Sequence, residues 1–524
     1  MKRYLFPYIA AFALASSLGA CSDDEGNYDY TQINEVTIEG IEVNPVYEAG
    51  SQIIATPTIT VLDETSSNLS YQWTINGAEV STERNLDVML PPLEYGEQLC
   101  ALTITDNDTG MKYIQTFNIQ VMNPFNYGYY FFTRLDDNST EMAYIQAKGT
   151  DDSTVDDVKY TTGVADQAFG NDPRQIFGTY VYNQANASFE WTLMFLTSEG
   201  EYPVIVTDNS AFEPTYLLSS NSFIDQEEGY TFKPEEVLTN IQNNYTAFVS
   251  NGQFVYYTNS KLYRPARHTQ DYYWSHAVIG LGPDIFAWVF DELSRRVYTI
   301  QAYRNNGEEI PEGFTVDNNA WDRVMEPVAS EDNPDMTNPV IEGKLLAVTD
   351  YYAGNHACKA ISAERDMLHV YTYSRPWING VNPVPQPVYT GEYEFALPGL
   401  DENASIVVGG RMGASAYQYF INAGNNIYYC ATGGTPEAPV LVCSIPEEYG
   451  KVEYMGLSAL GNRLIVVAYD ENSSEERKGT VLFVDLSTRQ ITHTFPHILH
   501  HCAGFWGANE STSLMGYGQF GDAM

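Results

Sequence analysis

Near the end of the sequence, His497-Ile498-Leu499-His500-His501-Cys502 puts three imidazoles and a thiol within six residues. Imidazole and thiolate are good ligands for zinc or copper. On a strand, alternate side chains share a face, which groups His500 with Cys502 and His497 with His501. The spacing matches no standard zinc pattern, and the competing reading is a loop whose imidazoles bond to carbonyls. Capture of a metal or metal chelate by His497, His500, His501 and Cys502 is one expectation.

A second chemistry is carried by aromatic clusters in expected loops. These are Tyr272-Tyr273-Trp274-Ser275-His276, then Tyr351-Tyr352 with His356, then Arg375-Pro376-Trp377. Aromatic faces stack on sugar rings and on peptide side chains, while tyrosine hydroxyls and arginine orient a ligand by hydrogen bonds. Tyr272, Tyr273, Trp274, His276, Tyr351, Tyr352 and Trp377 are therefore the expected contacts to a glycan or peptide, provided the loops converge. Otherwise these aromatics seal packed sheets against one another.

Catalysis is harder to read. The sequence has no G-x-S-x-G elbow, H-E-x-x-H pair or P-loop. The glycine cluster Val407-Val408-Gly409-Gly410-Arg411-Met412-Gly413 is not followed by a helical pattern, so a dinucleotide site is not expected there. A glycoside hydrolase needs two placed carboxylates, but with 68 acidic residues some pair always exists. No catalytic residue and no cofactor is assigned. A surface glycoside hydrolase or polysaccharide lyase stays open as the alternative to a binding protein.

Charge narrows the partners. With 26 Lys and Arg against 68 Asp and Glu, the formal charge is −42, and loss of residues 1–20 would take two cations and leave −44. Nucleic acid is not an expected partner, because phosphate binding needs a basic surface. Behind Cys21, five cysteines remain at 100, 358, 430, 443 and 502. An odd number leaves at least one thiol unpaired. A bridge between Cys430 and Cys443, across a hairpin at Gly433-Gly434, competes with two separate thiols.

The elements that must position these residues read as all-β. Short runs of β-branched and aromatic residues alternate with Gly, Asn, Asp or Pro, and hardly any stretch is an amphipathic helix. Residues 34–124 predict a compact sandwich with strands over Val36–Val43, Ile53–Val61, Leu69–Ile75, Leu86–Leu90, Gln98–Thr105 and Lys112–Val121. Alternation in Ser70-Tyr71-Gln72-Trp73 sends Trp73 inward, like the buried tryptophan of immunoglobulin-like sandwiches. Asp106-Asn107-Asp108-Thr109-Gly110 lacks the remaining positions of a calcium loop and reads as a turn.

Residues 125–524 repeat a strand, tight turn, strand unit, as in Phe254-Val255-Tyr256-Tyr257, Leu368-His369-Val370-Tyr371, Asn426-Ile427-Tyr428-Tyr429 and Thr480-Val481-Leu482-Phe483. Such units at intervals of about 55–57 residues predict a β-propeller, with seven blades fitting the length best. A second stacked sandwich array is the alternative architecture.

The first 33 residues carry an address. Lys2 and Arg3 precede an apolar run that is too short to span a bilayer, ending Leu18-Gly19-Ala20-Cys21. This resembles the lipobox of bacterial lipoproteins, which implies cleavage after residue 20 and acylation of Cys21. The following Ser22-Asp23-Asp24-Glu25 resembles the acidic export signal of Bacteroidetes surface lipoproteins, within a tether over residues 21–33. The Trp73 stretch, the Asp106–Gly110 turn and the next strand resemble PKD domains. In this order the parts are similar to PKD-like lipoproteins encoded beside TonB-dependent SusC/SusD-type importers. The resemblance implies an outer-membrane, lipid-anchored protein facing the cell exterior, which binds or presents a nutrient to such an importer.

Overall fold

The computed structural model describes residues 35–507 apart from internal segments, the longest being 147–157, 264–271, 303–320 and 377–385. The chain divides into two compact units, Met1–Met122 and Asn123–Met524. Cys21 and Ser22, Asp23, Asp24 and Glu25 lie outside the described residues, as does Trp377. Among the described residues, no helix is long and apolar enough to cross a membrane.

The first unit is a β-sandwich. One sheet runs Val46–Glu48, Lys112–Met122, Gly96–Asp106, Leu69–Ile75, Ala78–Ser81. Two small pairs complete it, Val36–Glu39 with Thr58–Val61 and Gln52–Ala55 with Leu86–Met89. The single strand expected over 53–61 is broken. Pro57 cannot donate to a ladder, so the segment divides between the two pairs. Trp73 points inward as expected, 1 % exposed, edge-on to Phe117 and donating Nε1–H to Glu83 O at 2.9 Å. Asp106 Oδ1 accepts the N–H groups of Asp108 and Thr109, so this loop is a carboxylate-tied turn.

The second unit is a propeller. Among the described residues it holds seven sheets of four or five strands. Their inner strands are Asn171–Asn183, Pro234–Asn240, Trp274–Ile279, Lys344–Tyr352, Ile406–Val408, Lys451–Leu457 and His501–Gly507. Each touches the next, and the last touches the first, so the sheets close into a ring. Closure is made by chain ends: His501–Gly507 pairs antiparallel with Gly128–Arg134, Tyr130 opposite Trp506.

A sheet packed between two others is buried on both faces and reads as a continuous apolar run. Gly128–Arg134 shows why. Tyr129 and Phe131 enter one core with Ile465, Val467 and Phe483, while Tyr130 and Phe132 enter another with Ile176 and Phe195. The period of two along a strand thus feeds alternate residues to alternate neighbours. Each fully buried aromatic removes enough apolar surface from water to contribute about 1.5–3 kcal/mol.

Inner strands are also joined by a repeated polar device. Gln175 Oε1 accepts Val237 N–H at 3.1 Å, Glu236 Oε2 accepts Ala277 N–H at 3.2 Å, and Glu453 Oε2 accepts Cys502 N–H at 3.2 Å. All three acceptors sit where the register to the second strand shifts, at 173/175, 234/236 and 452/454. A bulge of this kind re-aims a side chain, here onto the backbone of the following sheet.

Candidate functional site

The expected aromatic contacts fall in two places. Trp274 opens the inner strand of the fourth sheet, whereas Tyr351 and Tyr352 close the inner strand of the fifth. Each of these sheets starts at its inner strand and runs outward, so by the repeat the inner strands share one direction. The two groups therefore occupy opposite ends of the ring, and the convergence expected from sequence does not occur between them.

At the first end, Trp274 is a packing residue, 3 % exposed. It stacks on Tyr272 at 4.4 Å and meets Tyr298 edge-on. Tyr273 is open to solvent but lies so close to Gly252 that a Cβ there would strike its ring. His276 sits in a bulge with φ of 44°. Burial holds its imidazole below the usual pKa, with Glu292 opposing and Lys344 adding to the shift. At this end Tyr272, Trp274 and Tyr298 are spent on packing against one another.

At the second end the chemistry is denser. Asp350 Oδ1 accepts Trp288 Nε1–H at 2.9 Å, and Asp350 Oδ2 lies 3.0 Å from His356 Nδ1. Phe286 packs edge-on against His356, and the Arg375 guanidinium lies 4.1 Å over the same phenyl ring. His356 and Arg375 are fully buried. The His–Asp pair has the orientation of a base with its positioning carboxylate, but among the described residues both side chains are fully buried, which suits a brace for the strand ends. Lys359 is buried as well; its Nζ donates to Ala431 O at 2.7 Å and to Gly433 O, tying the fifth sheet to the sixth. Burial pushes its pKa down to about 8, against the pull of Cys430 and Glu437.

Over this buried layer Tyr351, Tyr352 and Tyr417 keep surface. Tyr352 lies on His356 with ring centroids 4.9 Å apart, and Tyr351 meets Tyr417 edge-on at 5.2 Å. Tyr417 is 41 % exposed. Gly433 lets the Tyr351 ring approach the sixth sheet, since a Cβ there would lie 2.8 Å from it. The result is an aromatic edge spanning two sheets, anchored from beneath by charged groups. Such an edge can stack on a flat ligand face.

The histidine group is not brought together. Among the described residues, no three of His497, His500, His501 and Cys502 form a donor set within 4.8 Å. His501 is taken by Glu453, with Nδ1 2.5 Å from Oε1, and stacks on Tyr469. His500 Nε2 lies 4.0 Å from Glu141, whose carboxylate is held by both nitrogens of Arg477. Cys502 is buried and its thiol is pushed well above the usual pKa. His497 stands exposed at a bulge with φ of 55°. These residues serve ring closure between the seventh and first sheets. Nor do Cys430 and Cys443 bridge: both are free, and the register sets Cys443 opposite Ile427 and Cys430 opposite Tyr419.

Sequence reading passed over Glu236, Lys359 and the pairing of Asp350 with Trp288. None is marked by a local motif, because each becomes unusual only through what the neighbouring sheet places against it.

Comparison with known proteins gives the following. None of the curated proteins matches the chain. Among solved structures it is similar to a quinonprotein alcohol dehydrogenase-like protein from Bacteroides thetaiotaomicron, at 11 % identity and TM-score 0.41, covering 89 % of this chain and 97 % of that one. It is also similar to PorZ, a surface component of the type-IX secretion system of Porphyromonas gingivalis, at 9 % identity and TM-score 0.33, covering 86 % and 63 %. A third is the polysaccharide lyase Uly1, at 11 % identity and TM-score 0.27, covering 75 % and 89 %. Likeness at this level carries no statement of activity. The match that names a family is a sequence match: residues 21–172 fit the PKD-like family, which takes in the whole sandwich and the first strands of the ring.

Proposed function

We propose that this protein is a non-catalytic surface lipoprotein whose propeller binds a glycan and presents it to a TonB-dependent importer of the SusC/SusD type. The observation that carries the binding part is the aromatic edge of exposed Tyr417 and half-buried Tyr351 and Tyr352, under which Asp350 pairs with His356 and Lys359 ties the two sheets. Rigid aromatic platforms lose little freedom on binding, which favours them for sugar rings. The anchoring part rests on Leu18-Gly19-Ala20-Cys21 and the acidic Asp23, Asp24 and Glu25 behind it. A formal charge of −44 after loss of residues 1–20 suits a self-repelling protein crowded on a surface.

The test is a glycan array followed by titration of the best binder against Tyr351→Ala and Tyr417→Ala. Loss of a stacking face should weaken binding at least tenfold while the melting temperature of Tyr417→Ala stays unchanged. Release of reducing ends or unsaturated products during incubation would refute the non-catalytic reading. Growth with labelled palmitate should mark the wild type and not Cys21→Ser.

A further inference from the structure

On the fifth sheet a buried imidazole sits among carboxylates. His369 lies on the third strand, Met367–Pro376, opposite Ser362 on one side and Glu394 on the outer strand on the other. It is 4 % exposed, and neither ring nitrogen has a hydrogen-bond partner. A buried polar group left unsatisfied is costly, and native proteins rarely keep one without a reason.

What faces the two nitrogens supplies a reason. Nδ1 lies 3.7 Å from both Glu392 Oε1 and Glu394 Oε1. Nε2 lies 4.0 Å from Glu364 Oε2, with Glu342 grouped on the same side. Strand register creates this arrangement. Glu394 is the cross-strand partner of His369 and Glu392 is that of Tyr371, so both carboxylates share the imidazole's face. The Tyr371 hydroxyl accepts Glu342 N–H at 3.0 Å and donates to Glu392, fixing that carboxylate from behind. Among the described residues no lysine or arginine pairs with any of the four glutamates. The group is acidic, converging and uncompensated.

The distances suit a small cation. Tetrahedral zinc, with bonds of about 2.0–2.2 Å to nitrogen and oxygen, places its ligand atoms about 3.4 Å apart. From 3.7 Å, the donors need close in by only a few tenths of an ångström, a movement that the 56 % exposed side chain of Glu394 can supply towards a Glu392 held by Tyr371. Mixed imidazole and carboxylate ligation favours zinc over calcium, which takes six to eight oxygens. If Nδ1 is the ligand, Nε2 carries the proton and points at Glu364. A carboxylate on the far nitrogen of a metal-bound histidine is a recurrent arrangement that fixes the tautomer.

We propose that His369 Nδ1, Glu392 and Glu394 bind one divalent cation of the zinc class, with Glu364 and Tyr371 as positioning residues. The cation clamps the outer strand Val388–Ala396 to the strand beside it, and its remaining positions are open to water or to an anionic ligand.

The experiment uses the full chain, stripped with chelator and titrated with zinc against a chromogenic competitor, with the melting temperature followed in parallel. One equivalent should bind and raise the melting temperature. Glu392→Gln with Glu394→Gln should lower zinc affinity at least tenfold while the metal-free protein still unfolds cooperatively, because glutamine keeps an oxygen for the Tyr371 hydroxyl. Glu364→Gln should lower it less. His369→Gln should abolish zinc binding; should that variant fail to fold, the double glutamine variant decides alone. Zinc retained by the double variant, no saturation below millimolar zinc, or calcium competing on equal terms would each overturn the assignment.

Discussion

Glu236 should make the stability of the ring fall between acid and neutral pH in a way one substitution removes. It stands on the inner strand of the third sheet, only partly open to solvent, and accepts Ala277 N–H from the next sheet. Burial, opposed by that hydrogen bond and reinforced by Glu235, raises its carboxyl from 4.5 to about 7. Between these values the folded protein holds a proton that the unfolded chain has lost, so stability falls as pH rises. At about 1.4 kcal/mol per unit, a gap of this size is worth about 3 kcal/mol at most, and partial exposure trims it to about 2. The contribution is intact below pH 4.5, is lost progressively up to pH 7, and is flat above.

Glu236→Gln keeps an oxygen for Ala277 and removes the titration. Over a unit of some 400 residues, an unfolding entropy of about 2 cal/mol/K per residue converts about 2 kcal/mol into roughly 2–3 °C. The variant should therefore match the wild type at pH 4 and melt about 2–3 °C higher at pH 8, measured by calorimetry in matched buffers. Equal differences at both values would refute the reasoning, since a loss of packing or of the hydrogen bond carries no such pH signature.

Two further outcomes follow from the packing. Phe131→Ala should cost about 3–5 kcal/mol, because Phe131 is fully buried against Phe505 where the last strand closes the first sheet; urea unfolding monitored by tryptophan fluorescence reads the loss. Trp274→Ala should lower the melting temperature and leave glycan affinity unchanged, since its ring is spent on Tyr272 and Tyr298; lost affinity in a variant of unaltered stability would return Trp274 to the ligand.

The residues that read well from sequence are those whose role is decided locally. Trp73 goes inward because alternation alone assigns its face. Asp106–Gly110 turns because a carboxylate can bond the next backbone N–H groups within the loop. The strand, turn, strand repeats at 254, 368, 426 and 480 are strand-period features, and each lies on a strand of the ring. Pro57 breaks the strand that the apolar pattern alone predicts there, because it has no N–H to give to a ladder. The histidine run misled for a related reason: its composition is metal-like, but Glu453 and Tyr469 of the seventh sheet take His501, while Glu141 of the first sheet faces His500.

His369 shows the limit from the other side. In Leu368-His369-Val370-Tyr371 nothing separates it from any strand residue, while its carboxylates are supplied from residues 342, 364, 392 and 394 by cross-strand register. The all-β character, the sandwich-then-repeat order and the acidic surface followed from the sequence by itself, since composition and periods of two are properties of single segments. Which end of the ring each aromatic faces, which histidines stay free, and where carboxylates gather were decided only by tertiary structure. The physical reason is that a ring of sheets closes through side chains meeting across strands, and no local pattern encodes the partner.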